Sequence, residues 1–183
     1  PADLGAQLHF EALAGKADRT PEEQVELANL LHARGAPPAE VAEPFRQLLR
    51  SPPEGRLVWV VNVVSAGWLG YRRAHPDAPG EPEATLALLR RALAAQRFDL
   101  VRGFLERQGP LDPQVRRAIE DEALAFALGE APLQGEASSA SGQGLVGLLV
   151  DRAGRDARAA VETARAFAHR APVAPTDALV AVA

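Results

Sequence analysis

The densest gathering of chemically capable side chains is Tyr71-Arg72-Arg73-Ala74-His75, which sets a phenol, two guanidiniums and an imidazole side by side. Guanidinium forks hold carboxylate and phosphate through paired hydrogen bonds. Tyr71, Arg72, Arg73 and His75 are therefore a candidate partner- or anion-binding set. The plainer reading is that basic residues near a helix C-terminus complement its dipole.

Other motifs are incomplete. Gly142-Gln-Gly144-Leu-Val-Gly147 spells a dinucleotide fingerprint, with Glu162 twenty residues beyond Gly142. That chemistry needs a strand before the first glycine, and the preceding residues are Ser and Ala, so a glycine-rich hinge is expected instead. Val63-Val-Ser65-Ala-Gly67 is half of a nucleophile elbow, with Val63 where the strained turn requires glycine. Ser65 is expected to bond back to its own helix. The four histidines, His9, His32, His75 and His169, include no two within five residues, so the usual helical metal-ligand spacings are missing and no metal is expected. Glu120-Asp121-Glu122 reads as a solvated face.

Residues 21–50 resemble a helix-turn-helix in spacing, with Arg46 and Arg50 placed to reach phosphate. Against DNA binding, Glu22, Glu23, Glu26, Glu40 and Glu43 make the region acidic.

Composition narrows the field. The 183 residues contain no Cys, which excludes disulfides, thiolate catalysis and Cys-ligated metal. The net charge is −4, and 19 of the 20 basic residues are Arg, with Lys16 the exception. Such a balance gives no global pull toward nucleic acid or anionic membrane. No apolar run is long enough to span a bilayer, and the first residues carry no leader pattern. A soluble, cytoplasmic chain without cofactor follows as the expectation. With aromatics at only 5%, the core must be built from Leu, Val and Ala, which favours closely packed helices.

The elements that would position these residues are marked by helix punctuation. Thr20-Pro21-Glu22-Glu23 is a capping box opening a helix that Gly35 ends. A helix over 38–50 contains Pro44, which either kinks it or marks a later start. The apolar stretch 57–71 reads as a buried central helix, with a strand over 57–64 as the alternative. Pro82, then Leu100 to Leu105, then Asp112-Pro113 mark three more helices. Residues 145–170 read as helical with a break near Gly154, although 145–150 and 178–183 could also be strands.

The expected fold is all-α, a multi-helix bundle or irregular stack of helical hairpins around 57–71. The expected organisation is a helical core domain over 1–129, a flexible linker or loop over 130–144 and a C-terminal helical segment over 145–183. Well-capped helices without assembled chemistry point to a non-enzymatic protein-interaction or scaffold module that binds a protein partner or itself. The alternatives are DNA binding through residues 21–50 and an enzyme whose site is assembled from scattered residues.

Overall fold

The computed structural model describes residues 4–76, 81–107, 112–129, 138–155 and 157–169, and every regular element among them is helical. In chain order the elements are α1 (Leu4–Gly15), α2 (Pro21–Ala33), α3 (Pro38–Arg50), α4 (Leu57–Trp59), a π-helical turn (Val60–Val64) and α5 (Ser65–Ala74). They continue as α6 (Pro82–Ala94), α7 (Phe98–Arg107), α8 (Pro113–Leu128), α9 (Ser138–Ala153) and α10 (Ala157–His169). The chain is all-α, as expected. The contacts divide it into two compact units, 1–88 and 89–183. No helix of the described residues is long and apolar enough to cross a membrane.

In the first unit α2 packs on α3, and α3 packs on the π turn and α5. The capping box forms as the sequence implies. Thr20 Oγ1 accepts from Glu23 N at 3.2 Å, and the Glu23 carboxylate accepts from Thr20 N at 2.7 Å. At the other end Gly35 takes φ +69°. Its N–H reaches His32 O at 2.9 Å, and Ala36 N reaches Leu31 O at 3.0 Å. These two bonds are a Schellman stop, and the left-handed φ is why glycine stands there. Helix α3 runs through Pro44, which is buried among Val41, Phe45 and Leu48. α1 is an element that the sequence punctuation does not announce. It buries only Leu13 and leaves Leu4 and Leu8 exposed.

Residues 57–74 form one continuous helical rod, not a strand. Ser65 N bonds to Val60 O, the wider spacing that defines the π turn. The rod is not buried all round, as its apolar composition suggests. Val60, Val61, Val64 and Trp68 lie inside, while Val58 and Val63 are exposed. Its two tryptophans part company as their spacing implies: Trp68 is buried, and Trp59 lies under the Arg56 guanidinium, 4.8 Å from its ring centre.

In the second unit α9 packs extensively on α7, and α10 packs on α9 and α8. Residues 138–144, expected to belong to a flexible linker, are the first turns of α9, and Ser141, Gly142, Gly144 and Leu145 are buried. Gly144 sits against the start of α7: an added Cβ would meet Asp99 N and lie 2.5 Å from Phe98 C. The Gly142-to-Gly147 run is therefore neither a phosphate turn nor a hinge. It is a low surface that lets two helices touch. Ser141 completes this seam by accepting from Phe98 N at 3.3 Å and donating to Gln96 O. Helices on both sides of 130–144 thus belong to one packed unit. Residues 130–137 and 178–183 lie outside the described residues. The 145–150 segment is helical, and α9 ends next to Gly154, as expected.

Candidate functional site

A groove opens in the first unit between α2, α3 and α5, with a volume of about 180 Å³. Three features of sequence create it. Gly67 and Gly70 on α5 keep that helix low; a Cβ on Gly67 would touch the Phe45 ring at 3.5 Å, and one on Gly70 would meet nothing within 4 Å. Ala28, Val41 and Phe45 line it with apolar surface. Asn29, His32 and Tyr71 add polar groups to its walls.

The aromatic side chains there form a contiguous chain. Phe45 lies 5.7 Å from Trp68, Trp68 stacks at 5.8 Å on Tyr71, and Tyr71 stacks at 4.6 Å on His75. His32 meets Tyr71 edge-on at 5.1 Å and His75 edge-on at 4.9 Å. Offset and edge-to-face pairs of this kind hold rings in fixed orientation. The result is an apolar, ring-lined recess with two imidazoles beside the phenol, suited to hydrogen bonding at the edge of an apolar contact.

The sequence cluster is thus only partly brought together. Tyr71 is buried and lines the groove, and His75 stacks on it. Arg72 and Arg73 are not among the groove-lining residues; Arg72 is half-buried, with its Nε lacking a hydrogen-bond partner, and Arg73 is exposed. His32 was missed. It lies on a different helix, and only its place at the end of α2, before the Gly35 stop, hinted that it faces a chain reversal.

The two arginines of the DNA reading carry compensated charge. Arg46 donates to Glu81 at 2.5 Å and also pairs with Glu43; the Glu81 hydrogen bond is the main cause that raises the guanidinium above its ordinary value, against the opposing effect of burial. Arg50 lies 3.5 Å from Glu83. Ser65 donates its hydroxyl to Val61 O and is buried, so it is not aimed at an imidazole. Among the described residues no three His, Asp or Glu side chains gather as a metal site.

A second recess, in the other unit, was not legible in the sequence. It is a cleft of about 750 Å³ between α8, α9 and α10, lined by Arg117, Asp121, Arg152, Arg155, Arg158 and Glu162 with Leu124 and Ala159. Arg152 ties the three helices together, reaching Asp121 at 3.1 Å, Glu162 at 2.7 Å and Ala159 O at 3.4 Å. Burial lowers the Arg152 proton affinity, but its bonds to Glu162 and Asp121 outweigh this and raise it. The Glu162 carboxyl is held below the usual carboxylate range by Arg152 and then Arg158. Glu120, expected on a solvated face, is buried beneath this cleft and pairs with Arg155 and, at 3.6 Å, with Arg116. The Glu162 carboxylate, held as an anion by two guanidiniums, is a poor general base.

No protein-family model, curated protein or solved structure matches this chain.

Proposed function

We propose that the chain is a non-enzymatic helical interaction module whose α2–α3–α5 groove takes a single apolar, preferably aromatic, side chain from a protein partner. The observation that carries this reading is the groove's size and lining together. Its volume of about 180 Å³ falls short of the roughly 300–1,000 Å³ usual for small-molecule sites. One large side chain fits such a space, and interfaces concentrate their binding energy in a few aromatic anchors seated in pockets. Phe45 and Tyr71 offer ring contacts, and His32 and Asn29 offer hydrogen bonds to the partner backbone beside the anchor. The preceding π turn fits this reading, because such turns recur at functional sites.

DNA binding is the weaker reading, since Arg46 and Arg50 are already matched with carboxylates. An enzyme would need a group poised for proton transfer. Ser65 bonds only to its own helix, and Glu162 is locked by two guanidiniums.

The test is a titration of the protein with N-acetyl-phenylalanine amide, followed by NMR of the His32, Tyr71 and His75 ring signals. Saturable shifts at these rings, abolished in Gly70→Leu, support the groove. Rings that do not respond, or respond equally in Gly70→Leu, contradict it.

A further inference from the structure

We propose that the residue seated in the α2–α3–α5 groove is the last residue of the partner chain, an aromatic side chain with a free α-carboxylate beside it. This rests on the groove reading above and narrows its partner. It starts from the charges around the recess. Among the described residues no carboxylate lines it. On α2, Glu22, Glu23 and Glu26 are matched by Arg56, Lys16 and His9, and on α3 Glu43 is matched by Arg46. Residues 57–74, which supply the third wall, contain no acidic side chain, and their only charges are Arg72 and Arg73. Arg72 follows Tyr71 directly, is half-buried, and its Nε has no hydrogen-bond partner. Neither Arg72 nor Glu40 has an ion-pair partner among the described residues, and Glu40 does not line the groove.

The donors belong to the recess itself. His32 is part of its wall, and its ring is set edge-on against Tyr71 at 5.1 Å and His75 at 4.9 Å. Neither imidazole pairs with a carboxylate among the described residues, where His9 with Glu26 is the one such histidine pair. Asn29, on the same helix, adds an amide N–H₂ to the wall. A carboxylate accepts from groups of this kind through charge-assisted hydrogen bonds, and the unmatched Arg72 guanidinium adds positive potential nearby. The volume of about 180 Å³ holds one side chain, and His32 and Asn29 form part of that same small space. The acceptor therefore belongs to the anchor residue. An α-carboxylate meets this condition. An acidic side chain on the neighbouring residue starts roughly 3.5 Å further along the chain. Capture of a terminal carboxylate is a recurring mode of peptide recognition.

The test compares three probes at fixed pH and low salt, each followed by the ring signals of Tyr71 and His75. They are N-acetyl-phenylalanine, its amide, and N-acetyl-phenylalanyl-aspartate amide, whose only carboxylate is on the second side chain. N-acetyl-phenylalanine is expected to bind about tenfold or more tighter than either of the others, the worth of one charge-assisted hydrogen bond. In His32→Ala this preference should fall to about threefold or less. His32 is exposed, and unchanged circular dichroism would show the variant folded. The preference is a ratio taken within one protein, so a general loosening of the groove cancels from it. Equal binding of the acid and its amide would leave the aromatic-anchor reading in place and overturn the terminal carboxylate. An aspartyl probe that matches the acid overturns it too, in favour of an acidic side chain. So does a preference that survives in His32→Ala. Rings that respond to none of the probes overturn both this inference and the groove reading beneath it.

Discussion

Gly144→Ala should destabilise the second unit even though it improves local helix propensity. In a solvated helix interior, Gly to Ala contributes about 1 kcal/mol of stability. At Gly144 the added methyl would lie 2.5 Å from Phe98 C and 2.7 Å from Phe98 O. Heavy atoms need about 3.5 Å, so α9 must retreat from α7 by about 1 Å. The obstacle is backbone, which has no rotamer to give. That retreat loosens Leu145 and Leu148, both buried, and stretches the Ser141 bond to Phe98 N, already 3.3 Å. Overpacking costs typically about 1–3 kcal/mol and occasionally more; with a backbone neighbour the upper part of that range applies, leaving a net loss of about 2 kcal/mol. For a unit of this size each kcal/mol moves the midpoint by about 4–8 °C, so a fall of about 10 °C is expected. Gly70→Ala is the matched control, because its Cβ meets nothing within 4 Å and it should raise stability by about 0.5–1 kcal/mol. Far-UV circular dichroism follows both units in urea, and fluorescence follows the first alone, since Trp59 and Trp68 both lie there. A Gly144→Ala protein as stable as its parent would refute the packing argument.

Thr20→Ala removes the side-chain half of the capping box, the bond accepted from Glu23 N, and should cost about 1 kcal/mol in urea unfolding of the first unit. Gln96 takes a left-handed φ of +54° at the end of α6, where glycine carries no Cβ penalty, so Gln96→Gly should raise the thermal midpoint by the equivalent of about 0.5–1 kcal/mol. The Asp99 carboxyl is held below its ordinary value chiefly by its hydrogen bond from Arg97, against the opposing effect of burial. Its folded pKa is thus lower than its unfolded one, so the stability it contributes is present above about pH 4 and is lost as pH falls through the folded value. In Arg97→Ala the deficit relative to the parent should be widest near neutral pH and shrink in acid; a deficit independent of pH would show that the pair acts through packing alone.

Local rules made some elements legible and tertiary contacts hid others. Thr20-Pro21-Glu22-Glu23 and Asp112-Pro113 act on the backbone within one turn, so both helix starts stood where the sequence put them. α1 buries only Leu13, leaving no periodic face to detect. The Gly and Ser content of 138–144 reads as coil because composition reports backbone freedom; it does not report that the α7 backbone lies against Gly144. The apolar rod at 57–74 was legible as a helix, but its one exposed face was not, since Val58 and Val63 are as hydrophobic as the buried valines. Tyr71 and His75 are neighbours along one helix and were seen together. His32 joins them only through the packing of α2 on the rest of its unit. The same holds for Arg117, Arg152, Arg155 and Arg158, which come from three helices and meet only in the folded cleft.

The groove's role is tested most directly by affinity capture from a lysate of the source cells, comparing the parent chain with Gly70→Leu at low and high salt. The added side chain starts from an exposed position whose Cβ meets nothing within 4 Å, and it occupies the recess that Gly70 lines. A protein that the parent retains at high salt and Gly70→Leu releases is the predicted result. A partner held equally by both, or nucleic acid alone that leaves as salt rises, would contradict it.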